Sequence, residues 1–572
     1  GKPRRPMAQA PARARPRHAQ AAACGAMGLL GKGKAGKQRE AATKDETKEA
    51  AAAIEQEALK AGSGAQVEAR LHRAPQALED HYDVTEQVVG RCYHGDLKVV
   101  KRKSDGAEYV AKPLKLNNIT RDGLEMFERE VEALLKLDHP NVVYLADVYF
   151  GAHEIMLVME YCKGGSLFDM MQQCGKYSEK DAQEALRQML EALAHAHHHK
   201  VVHRNANLLN WLYANSESWQ GLKLVGWGLV KDFSGHGYMH EVAGSLGFMA
   251  PEVFDGKYTT EADIWSLGVC AFMLLYGYPP FKEKTREKTI EAIKAGAYRT
   301  NEKATKRLSG HAVDFVDKLL QVHPGKRLSA KTALEHKFMK HKGEHKDLSA
   351  GVAADLLQFQ KGSAFKRKCM EVMAESLTTE ERDMLQQKFR EADTNGSGAI
   401  SVPEFKKVLQ ENFKCSDEEA QAAFDAIDEN HDDEISYTEF LAAMMAKRIH
   451  VNDTLLYETF ERFDKENTGT IVIKDLQEIL QVSEEEAKKV AKEAGGSDEK
   501  ITYKEFVAYM KAEGTEAGHS EKASKLVDKL KAEKGHGKTL EKHPEVAEPE
   551  PDPVVAEGQG ATPEAAQCCA VS

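Results

Sequence analysis

The chain has 572 residues, 42% of them hydrophobic and 30% charged, with 79 Lys and Arg against 90 Asp and Glu for a net charge of −11. Its length exclude a single hydrophobic core, so two or three globular domains are expected. The nine cysteines show no C-x-x-C or zinc spacing, which points to a reduced, cytoplasmic protein. The longest apolar run, "LGVCAFMLLYGY", is too short to span a bilayer and reads as a buried helix.

Residues 1–80 read as a disordered basic extension. They are rich in Ala, Lys and Gly, and residues 1–39 hold ten Lys or Arg and no acid. A charged helix is expected around Arg39–Lys60. Gly1 opens the sequence, so Met7 or Met27 is the expected initiator. Met27-Gly28 begins a myristoylation-like stretch, although Lys32 stands where Ser or Thr is expected.

Residues 81–339 form the first folded unit. Alternating strands ("YDVTEQVVG", "DLKVVKRK", "AEYVAKPLKL") precede a helical period in "MFEREVEALLKL", and strands and helices mix from there. The cluster "HAHHHK" (His195, His197, His198, His199) reads as a solvated helix end. Residues 340–378 are a junction. There Leu356, Leu357, Phe359, Phe365, Met370 and Met373 interleave with Lys361, Lys366, Arg367 and Lys368. Such a basic amphipathic helix suits the groove of an opened EF-hand pair.

From Thr379 a helix, acidic loop and helix recur four times, giving one pair at 379–447 and a degenerate pair at 448–515. A calcium loop of twelve residues needs oxygen ligands at positions 1, 3, 5, 7 and 12 and a sharp turn at 6. "DTNGSGAISVPE" supplies Asp393, Asn395, Ser397, the Ala399 carbonyl and Glu404, with Gly398 at the turn. "DENHDDEISYTE" supplies Asp428, Asn430, Asp432, the Glu434 carbonyl and Glu439, with Asp433 at the turn. "DKENTGTIVIKD" offers a weaker set in Asp464, Glu466, Thr468, Thr470 and Asp475, whose last carboxylate is one methylene short. It suits Mg²⁺ or a water-filled site. The fourth loop begins at Ala494 and is expected to be structural only. Two good Ca²⁺ sites and one weak site follow.

Residues 516–572 read as a flexible tail. Its end, Cys569-Ala570-Val571-Ser572, fits a prenylation signal, with Cys568 as a second lipid position. Membrane association of a cytoplasmic protein is the resulting expectation, and nucleic acid is not an expected partner.

The motifs "VVGRCYHGDL", "YVAK", "EREVEALLKLDHPNVV", "VMEYCKGGSLFD", "VVHRNANLLN", "VGWG", "MAPE", "EADIWSLG" and "HPGKRLSA" stand in an order that resembles a eukaryotic protein kinase. Joined to the acidic repeats, the chain is similar to the calcium-dependent protein kinases of plants, algae and alveolates over about residues 82–510. The resemblance implies an α+β bilobal kinase fold followed by an all-α, calmodulin-like EF-hand domain. It also implies a junction helix that is bound by the EF-hands and regulates the kinase cleft.

For nucleotide, the resemblance implies Gly90 and Gly95 in the phosphate loop, with Cys92 at the middle glycine position. It also implies Ala111, Lys112 and its partner Glu130, the hinge residues Glu160 and Cys162, and the metal ligand Asn210. Against this frame, Asn205 replaces the aspartate that aligns the substrate hydroxyl, Asn207 the lysine on the γ-phosphate, and Gly226 the aspartate that carries Mg²⁺. Ser166 and Leu209 replace acids that read a basic substrate. The kinase shape is expected to persist through the Glu252–Arg327 pair, Asp263, and the stacked Leu134, Leu145, His203 and Trp227. The expectation is a calcium sensor and scaffold with an impaired kinase fold. Its alternative is an active calcium-regulated Ser/Thr kinase using ATP and Mg²⁺ on protein substrates.

Overall fold

The computed structural model describes residues 70–511, with breaks at 74–75, 93–94, 117–118, 152, 175–176, 216–220, 234–236, 341–351, 353–355, 357–358, 360–362, 413–415, 429–430, 446–452, 466–467, 481 and 496–499. The expected helix at 39–60, the Met27 start, Leu357, Lys361, Asn430, Glu466 and the cysteines Cys568 and Cys569 lie outside the described residues.

The first lobe is a sheet of β1 (Leu71–Arg73), β2 (Tyr82–Cys92), β3 (Gly95–Arg102), β4 (Glu108–Lys115), β5 (Leu145–Phe150) and β6 (Glu154–Glu160), in the order β1-β5-β6-β4-β3-β2. A helical turn, α1 (Leu78–His81), precedes β2, and α2 (Arg121–Lys136) crosses between β4 and β5. Thr120 caps α2 by accepting from the Gly123 N–H, satisfying one of the donors that a helix start leaves unpaired.

One expectation is corrected here. The extension was expected to run to residue 80, yet Leu71–Arg73 pairs in parallel with β5, Leu71 opposite Val148. Three residues carry no readable alternation. Their order comes from partners far along the chain: Val148 donates to the Arg70 carbonyl at 2.8 Å, and His72 binds Asp147 at 2.8 Å.

The second lobe is helical: α3 (Leu167–Cys174), α4 (Glu179–His198), α5 (Glu261–Tyr276), α6 (Arg286–Ala295), α7 (Glu302–Thr305), α8 (Gly310–Leu319) and α9 (Ala330–Leu334). Buried Ala182, Ala185, Leu186, Met189, Leu190, Leu193 and Ala196 make a continuous stripe along α4, the face a 3.6-residue period demands. In α5 nearly every side chain is buried, which explains an apolar run without polar face. Between α4 and α5 lie short strands, Trp211–Tyr213 against Leu222–Leu224 among them.

The third part begins with α10 (Ala364–Glu375), followed by helix–loop–helix units from α11 (Thr379–Ala392), α12 (Val402–Asn412), α13 (Asp417–Ile427), α14 (Tyr437–Met445), α15 (Asp453–Phe463), α16 (Ile473–Leu480), α17 (Glu484–Glu493) and α18 (Tyr503–Met510). The repeat is visible in its caps. Thr378 with Glu381, Ser416 with Glu419, Ser483 with Glu486 and Thr502 with Glu505 each form a reciprocal capping box. Loops pair through short antiparallel strands, Ile400 opposite Ile435 and Ile471 opposite Ile501.

Helix α10 packs on α14 and α15. Its Phe365, Cys369, Met370, Val372 and Met373 are buried, with Phe365 5.8 Å from the Phe463 ring and 5.5 Å from that of Tyr509. The helical unit also meets the first lobe. The Arg382 guanidinium lies 3.7 Å from the Tyr144 ring centre, Arg102 donates to the Ser376 carbonyl at 2.7 Å, and Asp138 accepts from Thr438 N–H at 2.6 Å. Among the described residues no helix is long and apolar enough to cross a membrane.

Candidate functional site

The cleft between the lobes is built from β4, α2 and the loop after α4. Lys112 on β4 places its ammonium 2.5 and 2.6 Å from the two carboxylate oxygens of Glu130 on α2, and both residues are buried. Ala111 and Cys162 are buried as well. Gly90 and Gly95 stand on the β2–β3 hairpin, where Gly95 faces Cys92. The Glu160 side chain accepts from Tyr144 N–H at 2.7 Å and pairs with Lys223 at 3.1 Å, and its own N–H donates to the Tyr144 carbonyl at 3.0 Å.

The loop after α4 is held by Asp263 of α5, which accepts from the N–H groups of His203 (2.9 Å) and Arg204 (2.8 Å). His203 bonds the Val225 carbonyl at 3.1 Å and meets the Trp227 ring edge-on at 4.7 Å. Leu134, Leu145 and Trp227 share the same buried cluster. Arg204 adopts a left-handed φ of 65° and reaches Glu241 at 2.6 Å. Burial pushes the Glu241 carboxyl up, but hydrogen bonds from Lys231 and Arg204 outweigh it and hold the group at about 2. Arg327 and Glu252 make the expected two-pronged pair at 2.7 and 3.1 Å.

The residues that sit where phosphoryl-transfer groups belong form a neutral network. Asn205 Oδ1 accepts from Asn207 Nδ2 at 2.9 Å and from Ser245 Oγ at 3.0 Å, and Asn207 Nδ2 also reaches Ser245 Oγ at 3.2 Å. Asn207 Oδ1 accepts from Leu209 N–H at 2.9 Å. Asn210 donates to the Asn205 carbonyl at 2.7 Å, and its own Oδ1 is buried without a partner. Gly226 has φ +81°, and a Cβ there would lie 2.9 Å from Asn210 Oδ1. Ser166 Oγ accepts from Asp169 N–H at 3.0 Å at the start of α3 and donates to the Asp169 carboxylate at 2.6 Å.

Gly226 supplies no oxygen and Asn210 only an uncharged amide, a poor donor set for a hard Mg²⁺ ion that prefers carboxylates, while Lys112 is held by Glu130. Ser245 was not anticipated from the sequence. Its place shortly before "MAPE" is a signal that the motif order could have supplied.

The acidic loops give an all-oxygen donor set. In the first, Asp393 accepts from Ser397 N–H (3.0 Å) and Gly398 N–H (2.8 Å), and Glu404 accepts from Thr394 (2.9 Å), Asn395 (3.0 Å) and Ser401 (3.1 Å). Ser397 Oγ donates to the Ala399 carbonyl at 2.9 Å. Burial pushes the Asp393 carboxyl up to about 7, and the nearby Glu191 and Glu404 add to the rise. A crowded, desolvated carboxylate pair of this kind fits a hard divalent cation.

In the second loop Asp428 accepts from Asp432 and Asp433 N–H at 3.3 and 3.1 Å, and burial raises its pKa. Glu434 donates its N–H to Asp432 at 3.0 Å, and Glu439 accepts from Ser436 at 2.8 Å. Asp433 takes the left-handed turn at φ 64°. In the third loop Asp464 accepts from Thr468 (2.8 Å) and Gly469 (2.6 Å), Thr468 Oγ donates to the Thr470 carbonyl, and Asp475 is held by Val472 N–H at 2.9 Å. Among the described residues no three His, Cys, Asp or Glu side chains form a ready-made metal cluster. The described carboxylates rest on backbone N–H groups.

The histidines of α4 are a solvated helix end only in part: His198 is exposed, whereas His195 is 4% exposed and its ring lies 5.1 Å from that of His139. His197 bonds Asp263 at 3.1 Å. Burial, with Arg390 next in weight, lowers the His139 pKa to about 3. The cluster was misjudged because its cover comes from the first acidic loop, some two hundred residues downstream. Lys223 was likewise missed: nothing local marks it as the buried partner of Glu160.

Comparison with known proteins places both halves. The protein kinase domain family matches residues 83–339, and the EF-hand domain pair family matches residues 382–445. Calcium-dependent protein kinase 17 of Arabidopsis thaliana is 32% identical over 455 residues, covering 77% of this chain and 85% of the relative. Calcium-dependent protein kinase 7 of the same plant is 33% identical, covering 75% and 83%. Calcium-dependent protein kinase 20 of Oryza sativa subsp. japonica is 32% identical, covering 74% and 79%.

Proposed function

The chain belongs to the calcium-dependent protein kinase family, and from that premise we propose that it is a calcium sensor whose kinase fold has lost efficient phosphoryl transfer and serves as a regulated scaffold. The reading rests above all on the neutral Asn205–Asn207–Ser245 network beside Gly226. An amide oxygen accepts a hydrogen bond but takes no proton at neutral pH. Loss of one general base typically costs about 10²–10⁴ in rate. Here the metal carboxylate and the phosphate lysine are absent as well, although effects within one site are not additive.

Calcium is assigned to the first loop through Asp393, Asn395, Ser397, Ala399 and Glu404. The second is assigned through Asp428, Asn430, Asp432, Glu434 and Glu439, and the third loop is a weaker site. Ions there alter the hold of the EF-hand helices on α10 and on the first lobe, and so change the surface that a protein partner meets.

One observation favours the rival reading of an active kinase. The Lys112–Glu130 pair is closed and Trp227 meets His203 edge-on, as in an assembled catalytic core. Phosphotransfer from Mg-ATP in the presence of calcium separates the two. The native chain is expected to transfer no phosphate above background, and Asn205→Asp with Gly226→Asp to gain activity. Robust calcium-stimulated transfer by the native chain would sink the proposal.

A further inference from the structure

The first acidic loop rests on the kinase domain. Its turn lies between His139, which follows α2, and His195 near the end of α4. A Cβ on Gly398 would lie 2.5 Å from His139 Cδ2 and 2.7 Å from His195 Nδ1. A Cβ on Gly396 would meet Leu334 at 3.3 Å and Glu191 at 3.5 Å. The helix leading into the loop is tied down too, since Arg390 binds Glu184 at 3.2 Å and Glu191 at 3.1 Å.

A left-handed turn alone does not require glycine in this protein. The second loop makes the same turn with Asp433 at φ 64°, against φ 87° for Gly398. Asn and Asp tolerate that conformation better than other side chains. What separates the two positions is the histidine wall facing Gly398. The missing side chain of the first loop therefore answers to docking as well as to the turn.

We propose that the first loop is a docking element as well as a calcium site, and that its seating against α4, beside Glu191, raises its calcium affinity. Two physical terms carry this. A loop already clamped by α4 has less conformational freedom to lose when it closes on an ion. The Glu191 carboxylate beside Gly396 faces the loop from a buried setting, with Arg390 and Arg187 as its counter-charges. Because coupling between sites is reciprocal, calcium in the first loop tightens the EF-hand pair on α4 by the same factor. The second loop, whose turn residue Asp433 is exposed and whose Glu434 lies 4.0 Å from His198 of α4, is expected to report on docking less. The inference rests on the assignment of Asp393–Glu404 as a calcium site.

The test uses the full chain, with calcium affinities from titration calorimetry and docking from hydrogen exchange across residues 184–199. Gly398→Asn keeps a residue that tolerates the turn but collides with the histidines. It is expected to weaken one site by about tenfold, within the usual range for coupled sites, and to deprotect α4. Adding His139→Ala and His195→Ala opens the space and is expected to restore both readings. Glu191→Gln, which leaves the loop sequence untouched, is expected to weaken the same site and spare the other. Failure of the alanine pair to restore Gly398→Asn would put the defect in the turn and overturn the docking role. Native affinity in Glu191→Gln would overturn the cross-domain coupling. A native chain that binds no calcium would overturn the calcium assignment itself, a result distinct from the other two.

Discussion

At the scale of single residues, the chemistry turns on which side-chain atoms can carry charge. Asn205 and Asn207 are bonded as amides to each other and to Ser245, so these two side chains meet one another and a hydroxyl where charged groups would stand. ATP is therefore expected to raise the melting temperature equally in Mg²⁺ and in EDTA. A shift that appears only with Mg²⁺ would show that Asn210 and other groups still hold a metal. Gly226→Asp is expected to cost about 1 kcal/mol in chemical denaturation, because φ is positive there and Asn210 crowds the new Cβ. That strain must be separated from any gain in phosphotransfer. Lys223 and Glu160 are 2% and 1% exposed. Lys223→Met would strand a buried carboxylate, with an expected loss of about 3–5 kcal/mol. The identities at 205, 207 and 226 were legible because each sits at a fixed offset from a recognisable frame. The Lys223–Glu160 pair was not, because neither residue has a local pattern that announces a partner.

Among the elements, β1 shows how a segment too short to predict is ordered by what it meets. Asp147 on β5 accepts from the Tyr82 hydroxyl, binds His72 at 2.8 Å and pairs with Arg462 of α15 at 3.3 Å. Burial would raise the Asp147 pKa, but Arg462, His72 and Tyr82 outweigh it and hold the carboxyl well below its usual range. A lowered carboxylate pKa contributes stability that is complete above the ordinary value of 3.8 and is lost as pH falls through the lowered one. Asp147→Asn is expected to cost about 3 kcal/mol at pH 7, by removing the ionised carboxylate that faces the Arg462 guanidinium. The gap from the native chain should close in acid below the ordinary carboxylate range. A gap that persisted there would show that the ionised carboxylate is not what joins β1, β5 and α15. The acidic repeats are the opposite case. Helix, acidic loop and helix recur there at short spacing, which makes four units legible in the sequence, whereas the strand pairings of Ile400 with Ile435 and of Ile471 with Ile501 join neighbouring loops.

On the scale of the molecule, α10 sits in the EF-hand unit through buried Phe365, Met370 and Met373. Calcium is expected to slow hydrogen exchange across residues 364–377, and identical exchange with and without the ion would remove the junction from the regulatory mechanism. The sequence by itself determined the two fold classes, the order of their motifs, the oxygen donors of the acidic loops and the loss of carboxylates from the cleft. Each of these is a matter of residue type at short spacing, where helical period, capping and loop geometry act within a few residues. Only the tertiary structure decided that Asp147 meets Arg462, that Glu160 turns toward Lys223, and that Gly398 presses between His139 and His195. Those contacts join groups far apart along the chain. Packing of whole elements brings them together, and burial then demands that each charge and each polar atom find a partner.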